Sequence, residues 1–164
     1  MKFAAAILSV ILCTLTGNYF TRRDSERVKI IEEILLMIQI ISSEIRYSKT
    51  ALNVIVHKLS ENRGLARLEF LLRCRKMLES EAFPQSWKTS VEKSQVNYEE
   101  RVLLLSFGAG LGTSDVEGQL SNCELHKALF ENNLQNAREQ SNRFGKLYTS
   151  LGVLGGILAA LIIV

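Results

Sequence analysis

Val28–Leu59 reads VKIIEEILLMIQIISSEIRYSKTALNVIVHKL. Ile31, Ile34, Ile38, Ile41, Ile45, Leu52, Ile55 and Leu59 recur at alternating three- and four-residue steps, and only Ser48 interrupts them. Such spacing draws one apolar seam along an amphipathic helix, suited to packing on other helices. Ile34–Ile41 is almost wholly apolar, yet it is too short to span a bilayer, and Glu32, Glu33, Glu44 and Arg46 flank it. A buried core helix is therefore expected. Ser48-Lys49-Thr50 offers an N-cap, so a break there and a restart at Ala51 are expected. One proline in 164 residues also favours helices over strands. The expected fold class is all-α, a helical bundle.

Downstream, Leu65–Leu78 repeats the pattern with Leu68, Leu71, Leu72 and Leu78, interleaved with Arg67, Arg73, Arg75 and Lys76. A basic run of this kind reads as the solvated face of a helix. Pro84 cannot continue a helix, and Ser86 can cap a short one carrying Trp87 and Val91. Trp87 is expected as a core anchor. Asn97 through Glu100 form a weak capping box opening a helix with Val102, Leu105 and Phe107. Phe107–Asp115 reads FGAGLGTSD. It lacks the G-x-G-x-x-G spacing, a preceding strand and a Lys-Ser/Thr pair, so it is not a phosphate loop. Gly112 instead suits a helix C-cap, and Ser114 through Glu117 suit a second capping box. From Val116 one rhythm runs on through Leu120, Cys123, Phe130, Leu134, Ala137, Phe144, Tyr148 and Leu151. A single long helix is predicted to leave the bundle and continue to the C-terminus.

The two ends differ from this middle. Leu147–Val164 reads LYTSLGVLGGILAALIIV, with no charged residue. About 18 residues at 1.5 Å each give about 27 Å, enough to cross a bilayer core. Phe3–Phe20, FAAAILSVILCTLTGNYF, is of similar length and also uncharged. It reads as an uncleaved span, because Thr14–Gly17 makes a poor signal-peptidase site and Leu12 before Cys13 makes a poor lipoprotein site. Arg22, Arg23, Arg27 and Lys29 follow the first segment, and Arg138, Arg143 and Lys146 precede the second. Positive charge collects on the cytoplasmic side. The expected organisation is a transmembrane helix over 1–21, a cytoplasmic bundle over 22–146 and a transmembrane helix over 147–164. Ala5, Ser9, Cys13 and Gly17 in the first span, and Gly152, Gly156 and Ala160 in the second, share small-residue faces that allow close helix approach in lipid.

The chain holds 20 Lys+Arg and 17 Asp+Glu. Without Lys2, 19 basic face 17 acidic residues between Arg22 and Lys146, too even a balance for a nucleic-acid partner. Cys13, Cys74 and Cys123 form no CxxC pair and no disulfide framework. Cys123 and His126 lie three apart and could share a metal on one helix face, but nothing nearby completes a tetrahedral set. No Walker loop, zincin helix or nucleophile elbow is present. No catalytic residue, metal or cofactor is assigned.

With those residues in view, the chain resembles the stage III sporulation protein AB family over nearly its whole length. The marks are the N-terminal span, then Leu36 and Ser43-Glu44-Ile45-Arg46-Tyr47 followed by Thr50-Ala51-Leu52, and Trp87 with Val91. Phe107, Leu111-Gly112, Asp115, Gln119 and the apolar C-terminus complete the set. Ala51 stands where the family often has proline, and alanine also starts a helix well. The resemblance implies a non-enzymatic membrane component of the sporulation channel between mother cell and forespore. It implies an all-helical domain similar to the cytoplasmic domain of the type II secretion F platform. The implied partners are a secretion-type ATPase (stage III sporulation protein AA), other channel proteins, the mother-cell membrane around the forespore and, as an open alternative, further copies of the chain. Two other readings stand beside it: a membrane enzyme using the Cys/His pair, and an extracytoplasmic helical module if the first segment is cleaved.

Overall fold

The computed structural model describes residues 25–163 apart from 49, with side chains described up to 143. Helix α1 covers 25–43 and runs into a π-helical turn, Glu44–Ser48. Helix α2 is Leu52–Glu61, followed by a 3-10 turn, Arg63–Leu65. Then come α3 (Phe70–Met77), α4 (Phe83–Glu92), α5 (Tyr98–Gly110) and α6 (Val116–Ile163). The described residues hold no strand. The all-α expectation is met.

Two compact units divide the chain. Lys29–Leu134 is one; Met1–Val28 and Gln135–Val164 belong to the other. Within the second, Ala137 is buried, and an Arg27 guanidinium N–H donates to Gln140 Oε1 at 3.5 Å. The segment 1–21, with its small face of Ala5, Ser9, Cys13 and Gly17, lies outside the described residues. The backbone of 147–163 continues α6, while the side chains of Gly152, Gly156 and Ala160 lie outside them. Among the described residues, no helix is long and apolar enough to cross a membrane.

In the larger unit the isoleucine seam is the core. Ile31, Ile34, Ile38, Ile41, Ile45, Ile55 and Leu59 are all buried, joined by Met37. Helix α2 packs on α3, α3 on α4 and α4 on α5. Trp87 on α4 is the hub. Its ring meets Phe70 of α3 edge-on at 5.4 Å and Phe107 of α5 at 6.2 Å. Its Nε1–H donates to the Leu104 carbonyl at 2.8 Å. The indole reaches that carbonyl because residue 108 is glycine: a β-carbon there would collide with the Trp87 ring. Ser86 and Ser90, both fully buried, are small enough to keep this face of α4 close to its neighbours.

Local boundaries depart from the sequence reading where tertiary hydrogen bonds intervene. The helix expected over Leu65–Leu78 spans only Phe70–Met77. Ahead of it the chain makes tighter turns, with Leu68 N–H donating to Leu65 O and Leu71 N–H to Leu68 O. The carboxylate of Glu33 on α1 takes the Arg67 backbone N–H at 2.9 Å and the Arg67 guanidinium at 2.7 Å, which holds this turn against α1. Leu65, Leu68 and Leu71 still reach the core, whereas Leu72 is exposed. Helix α4 starts at Phe83, with Pro84 in its first turn where no N–H is needed, so Ser86 is interior and not a cap. Asn97 occupies the N-cap of α5 without a side-chain cap bond. Glu100, the other half of that expected box, is buried and accepts from Asn133 of α6 at 3.3 Å. The cap of α6 is Asp115, whose Oδ1 accepts the Gly118 N–H at 2.9 Å, one residue later than a Ser114 cap. Gly112 does terminate α5, with φ +74° just past the Leu111 C-cap. The long terminal helix is present from Val116 to Ile163, although Val116 itself is exposed.

Gly108→Ala tests the hub. The added methyl must displace a rigid indole, and overpacking of this kind costs about 1–3 kcal/mol. Trp87 is the sole tryptophan, so its fluorescence in the full chain, held in mild detergent, should report unfolding at lower denaturant for the variant.

Candidate functional site

The basic run of α3 is a structural brace. Arg67 binds Glu33, and Arg75 binds Glu61 at 3.1 Å. Arg73 donates to the Lys93 carbonyl at 2.9 Å and satisfies the end of α4. Further on, Arg101 donates to the Ser94 and Val96 carbonyls, both at 3.1 Å, and fastens the α4–α5 connection. Reading this run as a solvated face missed these bonds, because their partners lie up to 34 residues away.

Cys123 and His126 are both buried on α6. The imidazole Nδ1 pairs with the Asn122 carbonyl at 2.9 Å, and the ring packs on Phe107 at 5.3 Å. Burial, with a small addition from the Glu124 charge, pushes the Cys123 thiol up to about 11. Burial alone raises Cys74 to about 12. A buried thiol held protonated is a poor nucleophile near neutrality. Among the described residues, no group of three His, Cys, Asp or Glu is placed to hold a metal. His126 packs the α5–α6 contact, and Cys123 lies beneath the α1–α6 recess.

A recess with mixed polar chemistry lies between the end of α1 and α6. Its volume is about 260 Å³, and Gln39, Ser42, Ser43, Arg46, Tyr47, Glu124 and Lys127 line it above Ile38 and Cys123. The π-helical turn forms one wall. Isolated π-turns are uncommon and recur at functional positions. Glu44 secures this one from behind: its carboxylate accepts from Lys58 at 2.8 Å and from Thr50 Oγ1 at 2.9 Å. Those bonds, Lys58 first, hold the Glu44 carboxyl below the usual carboxylate range. Thr50 thus closes the π-turn where the sequence reading expected it to help cap α2, whose N-cap Ala51 has no side-chain bond. In front, Tyr47 is 81% exposed.

The described residues define a protein of the all-helical bundle class, with several arginines braced internally and a polar recess on one side. The model of the family described as stage III sporulation protein AB matches residues 2–164, and the chain belongs to that family. A solved structure of a stage III sporulation protein AB is similar in fold: 21% identity, TM-score 0.62, covering 71% of this chain and 97% of that one. No curated protein matches the chain.

Alkylation should expose the thiol environment. At pH 8 a group at about 11 is thiolate in about one part per thousand. Cys74 and Cys123 should therefore react far more slowly in the folded chain than after denaturation. Both thiols are raised in the folded state, so their contribution to stability is full below the unfolded value near 9 and is lost as pH climbs toward 11–12. Denaturant midpoints should fall between pH 9 and 11, less steeply in Cys74→Ala.

Proposed function

We propose that this chain is a non-enzymatic, membrane-held platform of the sporulation channel between mother cell and forespore, coupling a cytoplasmic secretion-type ATPase to membrane rings. Family membership over residues 2–164 carries the reading, since the match includes both uncharged ends. The flanking cations support a cytoplasmic bundle: Arg22, Arg23, Arg27 and Lys29 after the first end, Arg138, Arg143 and Lys146 before the second. In this reading residues 1–21 and 147–164 cross the mother-cell membrane. The bundle then meets the ATPase, identified by family as stage III sporulation protein AA. The protonated, buried thiols favour a packing role for Cys123 over a catalytic one.

Sidedness is read with an introduced cysteine, because Cys74 and Cys123 are buried. Glu79 is exposed in the α3–α4 connection. Glu79→Cys should resist a membrane-impermeant maleimide in intact sporulating cells and react after lysis. Labelling before lysis would place the bundle outside. Cross-linking in the same cells should recover the ATPase with this chain; recovery of no channel protein at all would reject the platform role.

A further inference from the structure

The recess between α1 and α6 has an exposed Arg46 guanidinium with no ion pair or hydrogen bond among the described residues. This contrasts with Arg67, Arg73, Arg75 and Arg101, whose bonds hold the bundle together. Lys127 lies on the opposite wall, engaged only by Glu131 at 3.9 Å. Gln39, Ser42 and Ser43 line the same recess and add neutral donors. Tyr47 stands at the rim with its ring almost wholly in water. Arg and Tyr are the side chains that most often anchor protein interfaces. The turn that carries both is fixed in advance by Glu44, Thr50 and Lys58, so little ordering remains to be done on binding.

We propose that this recess docks an acidic segment of a partner protein. One Asp or Glu side chain of that segment enters between Arg46 and Lys127, and its neighbouring residues cover Tyr47. A planar guanidinium beside amide and hydroxyl donors matches a carboxylate. Two cations against Glu124 leave a net charge of +1 in the recess. That balance suits a single carboxylate and disfavours a multiply charged phosphate. A volume of about 260 Å³ admits one or two side chains, whereas a lipid surface is flat and cannot enter it. The proposal deepens the platform reading by naming the surface through which the bundle takes its partner, and it rests on that reading.

The test uses the full chain in sporulating cells, with a photo-reactive phenylalanine analogue in place of Tyr47. Irradiation should give an adduct whose mapped peptide, from another protein, contains Asp or Glu. Arg46→Glu should reduce the adduct about tenfold. Reversing the mapped acidic residue to Arg in the partner should restore it. Trp87 fluorescence checks that the variant folds; should Arg46→Glu unfold, Lys127→Glu replaces it in the same experiment. An adduct to lipid, an adduct to a second copy of this chain, no adduct, or an adduct unaffected by charge reversal each overturns the proposal. Failure here with the ATPase still cross-linked leaves the platform reading intact. A charge-dependent adduct to a protein outside the channel keeps the docking site and removes the platform reading.

Discussion

Trp87 fitting against the bare backbone of Gly108 is the constraint on which the bundle depends. The indole has to satisfy its N–H inside the core, and the acceptor within reach is the Leu104 carbonyl on the next helix. A large aromatic ring gives most of its burial energy only when its polar edge is also paired. That pairing sets how closely α4 approaches α5, and the Phe70 and Phe107 contacts then set how α3 and α5 lie on either side of the same ring. Isoleucines on α1 bring oil to the core but little directionality. Direction comes from this one hydrogen bond.

A second layer of polar ties does the same work at the connections. Glu33 holds the turn before α3, Arg73 closes α4, Arg101 fastens the α4–α5 segment, and Asn122 donates to the Phe107 carbonyl at 3.0 Å. Short helices such as α3 are marginal alone and gain their stability from packing and from such ties. The charge of Glu33, Arg73 and Arg101 is therefore committed to the fold. Arg46 differs from these in lying beside Tyr47 at a recess and bonding to none of its walls.

The groups that could carry chemistry in the larger unit serve its packing as well. Cys74 and Cys123 are shielded, and the buried His126 packs against a ring. The family relation assigns the chain to sporulation, and the solved relative shares its fold at low identity. The π-turn gives the bundle a rigid edge, held by the Glu44 bonds to Thr50 and Lys58.

Much of this was legible along the chain. The three-four spacing of Ile31 through Leu59 defined a buried seam because helical periodicity is a local property. The rhythm from Val116, interrupted by polar Lys127 and Ser141, foretold α6, Gly112 marked the end of α5, and Trp87 was readable as an anchor. Boundary or cap assignments failed at Ser86, where Pro84 starts the helix earlier, at Leu65, where Glu33 holds a turn, and at Ser114, where adjacent Asp115 caps instead; Asn97 is the N-cap but lacks its side-chain bond. The recess could not be read at all: Arg46 and Lys127 are 81 positions apart by number, and only packing brings their helices to one cleft. The sequence by itself determined which residues must be hidden and the pitch at which they recur, since hydrophobicity and helical geometry act over a few residues. Tertiary structure alone decided which polar groups meet, because a hydrogen bond between remote segments is specified by the closed core and by no local pattern.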